Sequence, residues 1–153
     1  MASGKYVLTD GYVLISGGAF GSADLSTYAH TIDTPSTKEV VDVSGFNPQA
    51  SKEFLPGPRD DTVTLGFRQA FTTGTAGVHG VFSGLYTSGG TFTFDIRAVS
   101  PTTNSTVSVT NPAYRGTAVL YEYNGINGEL SSSGEVSVTL KPAPNTFFSY
   151  QTS

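Results

Sequence analysis

The chain has 153 residues, which fits one domain of ordinary size, with eight basic and twelve acidic residues for a formal net charge of −4. Charged residues make up only 13%, about half the usual share, and 18 Ser, 21 Thr and 18 Gly replace them, which excludes helical bundles and coiled coils. Ten Phe and eight Tyr argue against disorder, and the absence of Cys removes disulfides, thiol nucleophiles and Cys-based zinc sites. No basic cluster points to sequence-reading contact with nucleic acid. No apolar run reaches the ~18 residues of a membrane span, and the N-terminus turns polar by Thr9-Asp10-Gly11, without a signal-peptide core. What remains is a single β-rich domain with a weakly charged surface.

In chain order, Tyr12–Ser16 is the first strand candidate. The run Gly17-Gly18-Ala19-Phe20-Gly21 reads as a turn, because it lacks the terminal Lys-Ser/Thr of a phosphate loop. His30–Asp33 and Glu39–Ser44 are further short strand candidates. Residues Gly45–Asp61 contain Pro48, Pro56 and Pro58, show no periodicity, and are expected to form a long Pro-rich loop of the kind that usually serves interaction. In Thr62–Arg68, Val63, Leu65 and Phe67 alternate with polar residues, the signature of a half-buried strand. Val78, Val81, Phe82 and Leu85 recur at helical spacing, so they predict the core face of one short helix stopped at Gly89-Gly90. Thr91–Ala98 alternates again, with Phe92, Phe94, Ile96 and Ala98 on one side. Thr106–Thr110 is a weaker strand candidate, and Tyr114–Tyr123 carries aromatics on both sides of its alternation, as a strand buried on both faces would. Gly134–Leu140 closes the series with Val136, Val138 and Leu140 inward. The pattern predicts an antiparallel β-sandwich over residues 1–142 with one flanking helix, followed by a tail over 143–153.

No catalytic constellation emerges. Asp60-Asp61 is the only adjacent acidic pair, and neighbours on extended chain point to opposite faces, so the two cannot work together as acid and base. His30 and His79 have no partner at metal-ligand spacing and read as surface or boundary residues. The serines include no Gly-x-Ser-x-Gly elbow. Asn104-Ser105-Thr106 matches a glycosylation sequon, a triplet common by chance in Ser/Thr-rich chains. Tyr114, Tyr121 and Tyr123 could build a sugar-binding platform, although core and cross-strand packing is the commoner use of such residues. Neither an enzyme nor a bound cofactor is expected.

The order of these features carries a resemblance. Ala23–Tyr28 leads into a strand, and Glu39–Phe46 follows. The segment Ser51–Asp61, with Leu55-Pro56-Gly57, then runs directly into Thr62–Phe67. The short helix and Thr91–Arg97 come next, then Thr110–Tyr123, and a last strand ending Leu140-Lys141-Pro142. Over roughly residues 10–142 this series resembles the major tail (tail tube) proteins of long non-contractile-tailed bacteriophages, especially those infecting actinobacteria.

The resemblance implies a structural virion protein that forms hexameric rings stacked into a hollow tube, through which viral DNA passes transiently. Six copies at −4 each would give a ring about −24, a field that resists DNA adhering to the wall. The loop 45–61 is expected to reach the adjacent ring, with Phe46, Phe54 and Leu55 as apolar anchors and Lys52, Arg59, Asp60 and Asp61 as polar rim. Glu39, Asp42, Asp95, Glu122 and Glu135 are the candidate acidic residues of the lumen. Implied partners are other copies of the chain and the tape measure, tail terminator and tail-tip proteins. Implied location is the virion tail, assembled in the bacterial host cytoplasm. The aromatic tail, with Phe147, Phe148 and Tyr150, is a candidate inter-subunit arm. Alternative readings are another virion β-sandwich (head decoration or tail terminator) or a carbohydrate-binding adhesive module.

Overall fold

A computed structural model of the chain describes residues 11–17, 21–46, 52–71, 77–131 and 134–153. Residues 18–20 of the expected Gly17–Gly21 turn and 47–51 of the expected loop, Pro48 included, lie outside them. The elements run β1 (Tyr12–Ser16), β2 (Ser22–Asp24), β3 (Ala29–Asp33), β4 (Ser36–Asp42), β5 (Phe54–Asp61) and β6 (Val63–Arg68). They continue with α1 (Val78–Ser88), β7 (Phe92–Arg97), β8 (Ala113–Tyr123), β9 (Glu135–Pro142) and β10 (Ser149–Gln151).

The main sheet is antiparallel throughout, in the order β2-β1-β7-β8-β9-β6-β3, with β10 added to β8. Strand β8 makes the sandwich. Its first half pairs with β7 and β10, its second half with β9, so the sheet folds on itself across one strand. Alternation then decides the core. Val13 and Ile15 of β1 stand opposite Ile96 and Phe94 of β7, and Val63, Leu65 and Phe67 of β6 opposite Leu140, Val138 and Val136 of β9. All of these residues belong to one buried cluster. A bulge between Leu120 and Glu122 shifts the register, leaving Tyr121 exposed and Tyr123 packed on the core.

Helix α1 buries Val78, Val81, Phe82 and Leu85 and places Phe82 5.3 Å from Phe67 and 6.2 Å from Tyr123, ring to ring. It ends at Gly89, whose φ of 63° lies in the left-handed region that a side chain disfavours and whose N–H closes on the Leu85 carbonyl.

Three expectations are corrected. Phe54–Asp61, read as part of a loop, is a strand: β5 pairs with β4 from Ser36↔Asp61 to Asp42↔Phe54, with a register shift between Lys38 and Val40. Among the described residues the ribbon shares no backbone ladder with another strand, and β4 is exposed along its whole length. Neither face selects an alternating pattern, so periodicity is silent there. The ribbon tolerates Pro56 and Pro58 because it is only two strands wide and each strand keeps one free edge. Second, Thr106–Thr110 is not a strand. The buried Asn111 donates through Nδ2 to the carbonyls of Asn104 (3.2 Å) and Thr106 (3.1 Å) and gathers the segment into turns. Third, residues 143–153 are no separate tail.

The chain turns at Asn145, Phe148 enters the core, and β10 pairs with β8 from Ser149↔Arg115 to Gln151↔Ala113. Phe148 packs edge-on against Phe94 at 4.7 Å and against Tyr114 at 6.0 Å. It lies directly over Gly116, where any Cβ would collide with its ring. Replacing Phe148 with Ala opens a cavity beside β7 and β8. The expected loss is about 3–5 kcal/mol, read as a lower urea midpoint at unchanged m-value.

Candidate assembly interface

The β4–β5 hairpin concentrates exposed apolar surface. Phe46 at its tip is fully exposed, Phe54 and Leu55 are 53% and 57% exposed, and Val40, Val41 and Val43 join them from the other strand. Lys52 is exposed beside the tip, as is Glu53. The tip is closed by Val43 N–H to the Glu53 carbonyl (2.9 Å) and by Glu53 N–H to the Ser44 hydroxyl (2.8 Å). Asp42 accepts the Ser44 N–H at 2.8 Å, and the Ser44 hydroxyl and amide hold its carboxyl below the usual range. The structure thus brings Phe46, Lys52, Phe54 and Leu55 onto one projecting ribbon, together with Glu39 and Asp42 from the lumen set. The three valines are not among the sequence candidates, because Glu39–Ser44 reads only as a short strand. Their run of β-branched residues was the available signal.

Arg59, Asp60 and Asp61 sit at the other end of the ribbon, where Arg59 and Asp60 are exposed and Asp61 is not. Asp61 is 2% exposed, whereas the Asp60 side chain points outward and pairs with Lys141 Nζ at 2.8 Å. Lys141 Nζ also donates to the Thr62 hydroxyl (2.7 Å). The Asp61 carboxylate accepts three hydrogen bonds, from the Ser36 hydroxyl, Arg59 Nε (2.8 Å) and Phe148 N–H (3.1 Å). Arg59 donates its other arm to the Phe148 carbonyl and stacks 5.3 Å from the Phe147 ring centre. Burial pushes the Asp61 carboxyl up, but Arg59, Ser36 and the Phe148 amide together outweigh it and hold it below the usual carboxylate range. Burial, and then the Asp61 charge, push the neighbouring Tyr114 hydroxyl up to about 12.

The candidate lumen acids do not converge. Asp95 on β7 is fixed by Arg97 and Arg115, both 3.0 Å from Oδ2, so its charge is balanced. Glu122 and Glu135 are exposed on the outer face, where Thr64 stands opposite Thr139 and Gly66 opposite Ser137. Across β6 and β9, Arg68 stands opposite Glu135. Val78, Val81, Phe82 and Leu85 lie in the core and face no partner surface.

The tyrosine platform is absent: Tyr114 is buried against Phe148, Tyr123 accepts or donates at 2.8 Å to His79 Nδ1, and only Tyr121 of the three is open. Among the described residues no cluster of His, Asp and Glu could hold a metal ion, and no helix is long and apolar enough to cross a membrane.

No protein-family model matches the chain, and no curated sequence does. Solved structures share its fold. A chain of the SPP1 tail tube superposes with a TM-score of 0.65 at 13% identity, over 94% of this chain and 78% of that one. A chain from the tail of an empty gene transfer agent particle, refined helically with C6 symmetry, gives 0.62 at 13% identity over 90% and 95%. A chain of an extracellular contractile injection system, the PVC sheath–tube complex in its extended state, gives 0.67 at 8% identity over 99% and 95%. The fold is a mainly antiparallel β-sandwich of the tail-tube type. Within that class it resembles the phage-like tubes of SPP1 and the gene transfer agent as well as the contractile injection machine.

The Asp61 geometry sets an acid limit on stability. Its folded-state pKa lies below its unfolded value, so the contribution is complete above about pH 4 and drains away as pH falls through the lower, folded value. Urea titrations between pH 6 and pH 2.5 should show the native chain losing stability more steeply than Asp61→Asn, which cannot ionise there. Parallel slopes would refute the assignment.

Proposed function

We propose that this chain is a tail tube subunit, a structural protein that assembles with copies of itself into hexameric rings stacked as a hollow conduit for DNA. The observation that carries this reading is the hairpin. A β-sandwich whose apolar side chains form one buried cluster projects a ribbon bearing Val40, Val41, Val43, Phe46, Phe54 and Leu55 into solvent. Six large apolar side chains on one projection mark a surface meant to be covered. Cover by a second copy at a different site makes a head-to-tail contact, which generates open filaments unless it closes on itself.

The tail-tube fold of assembled, sixfold particles supports the ring and its stacking. The outer face of β3, β6, β9 and the end of β8 suits a lumen wall: Thr64, Thr139 and Ser137 are small and polar, and Glu122 and Glu135 add negative charge. The two cations of that face each stand by a carboxylate, Arg68 opposite Glu135 and Lys141 paired with Asp60, which leaves passing phosphate little unbalanced positive charge to hold it. In this reading the subunit is assembled in the host cell, works in the virion tail, and meets tape measure, terminator and tip proteins at the tube's interior and ends.

Electron microscopy of the purified chain is the test. Hollow filaments with sixfold rings are expected, whereas isolated monomers under all polymerising conditions would overturn the reading. The combined variant Phe46→Ser, Phe54→Ser and Leu55→Ser should keep the melting temperature of the parent and lose filaments, because all three side chains are exposed in the single chain.

A further inference from the structure

The hairpin presents a mechanical problem. Two-stranded ribbons are marginal alone, and this one shares no sheet hydrogen bonds with the body of the domain. Its direction therefore has to be set where it leaves the sandwich. Apart from the Asp60–Lys141 pair, which ties the end of β5 to β9 at 2.8 Å, the links at that point run to one place. Thr62 N–H bonds the Pro35 carbonyl at 3.1 Å, and the Ser36 hydroxyl and Arg59 both grip Asp61. Asp61 and Arg59 in turn hold the two backbone polar groups of Phe148, while Arg59 lies over the Phe147 ring. Phe148 cannot drift, since its ring is wedged between Phe94, Tyr114 and the bare backbone of Gly116. Just beyond it, Tyr150 meets the Thr34 hydroxyl at 3.1 Å, two residues before β4 begins.

We propose that the C-terminal segment Phe147–Gln151 is a stay that fixes the angle at which the β4–β5 hairpin leaves the domain, with Arg59 and Asp61 as the positioning residues that transmit its hold. The lever is long. Eight extended residues span roughly 25 Å, so a 10° tilt at the base displaces the tip by about 4 Å, as much as a whole apolar contact distance. The stay is a property of the single chain. Its consequence for assembly, that it aims Phe54 and Leu55 at the next copy, rests on the tail-tube reading. Arg59 suits the task because a guanidinium fork reaches a carboxylate and a carbonyl at once, whereas the point charge of a lysine ammonium serves one partner at a time.

The absence of natural Cys allows a clean measurement. Val40→Cys on the hairpin and Ser137→Cys on β9, both exposed, would carry nitroxide labels, with the labelled chain diluted in unlabelled protein below the polymerising concentration. Double electron–electron resonance should give one narrow distance distribution in this parent. Arg59→Gln and Arg59→Lys should each at least double its width in chains that still melt in one cooperative transition above the measuring temperature, although the loss of the Asp61 partner lowers that transition. Phe147→Ala should broaden it less. Unchanged widths in both Arg59 variants overturn the stay, and restoration of the parent width by Lys overturns the fork. Because the readout is taken on dispersed chains, it stands apart from the test of filament formation: a chain that never polymerises but broadens as stated would refute the tube and retain the stay.

Discussion

Strand β8 is paired on both edges over its first half and on one over its second, and the rest of the domain is placed by that constraint. Eleven residues long, it gives its first half to β7 and β10 and its second half to β9. Both layers of the sandwich therefore hang from one continuous backbone, and their inner faces must share one core. Gly116 sits in the half that pairs with β7, and its missing side chain makes room for Phe148. The bulge at Leu120–Glu122 in the other half aims Tyr123 at α1 and His79. Core, helix seat and C-terminal anchor are thus consequences of one strand's pairing.

The ion pairs divide the small charge complement unevenly. Arg59, Arg97, Arg115 and Lys141 each face an aspartate, and three of these four contacts lie at Asp61 and Asp95, where solvent is largely excluded. These contacts occupy four cations, while Lys38, Lys52 and Arg68 stay exposed among a larger number of acids that includes Glu39, Asp42, Glu53 and Glu122. A modest net charge therefore becomes a more one-sided exterior than the composition alone suggests. Salt screens such exposed charges far more than the pairs beneath them, so ionic strength acts on the approach of copies more than on the fold.

Sequence made legible whatever had one face in the core. Strands β6, β7 and β9 alternate because one side is wet and the other dry, and the α1 stripe follows the helical period for the same reason. Where both faces are exposed, the rule has nothing to act on, and β5 was read as a loop. Phe148 was invisible for another reason: its pocket is formed by Phe94, Tyr114 and Gly116, all distant in the chain, and a lone aromatic after a turn has no period. The Asp60-Asp61 pair was half legible. Alternation separated the two side chains, but the burial of Asp61 depends on Ser36 and Phe148, which no local pattern connects to it. The exposed Phe46, Phe54 and Leu55 are placed together by their position in the ordered series, whereas the contacts of Asp61 at the hairpin base required the fold.

Pro56 gives the hairpin a property that matters before any partner arrives. A ribbon with free edges is a template on which further strands can grow, and identical chains at high concentration are the most available source of them. Pro56 stands opposite Val40 at a position facing away from β4, so it deletes a donor that a strand arriving on the β5 edge would need. The protein can therefore display a sticky projection without inviting endless sheet extension along that edge.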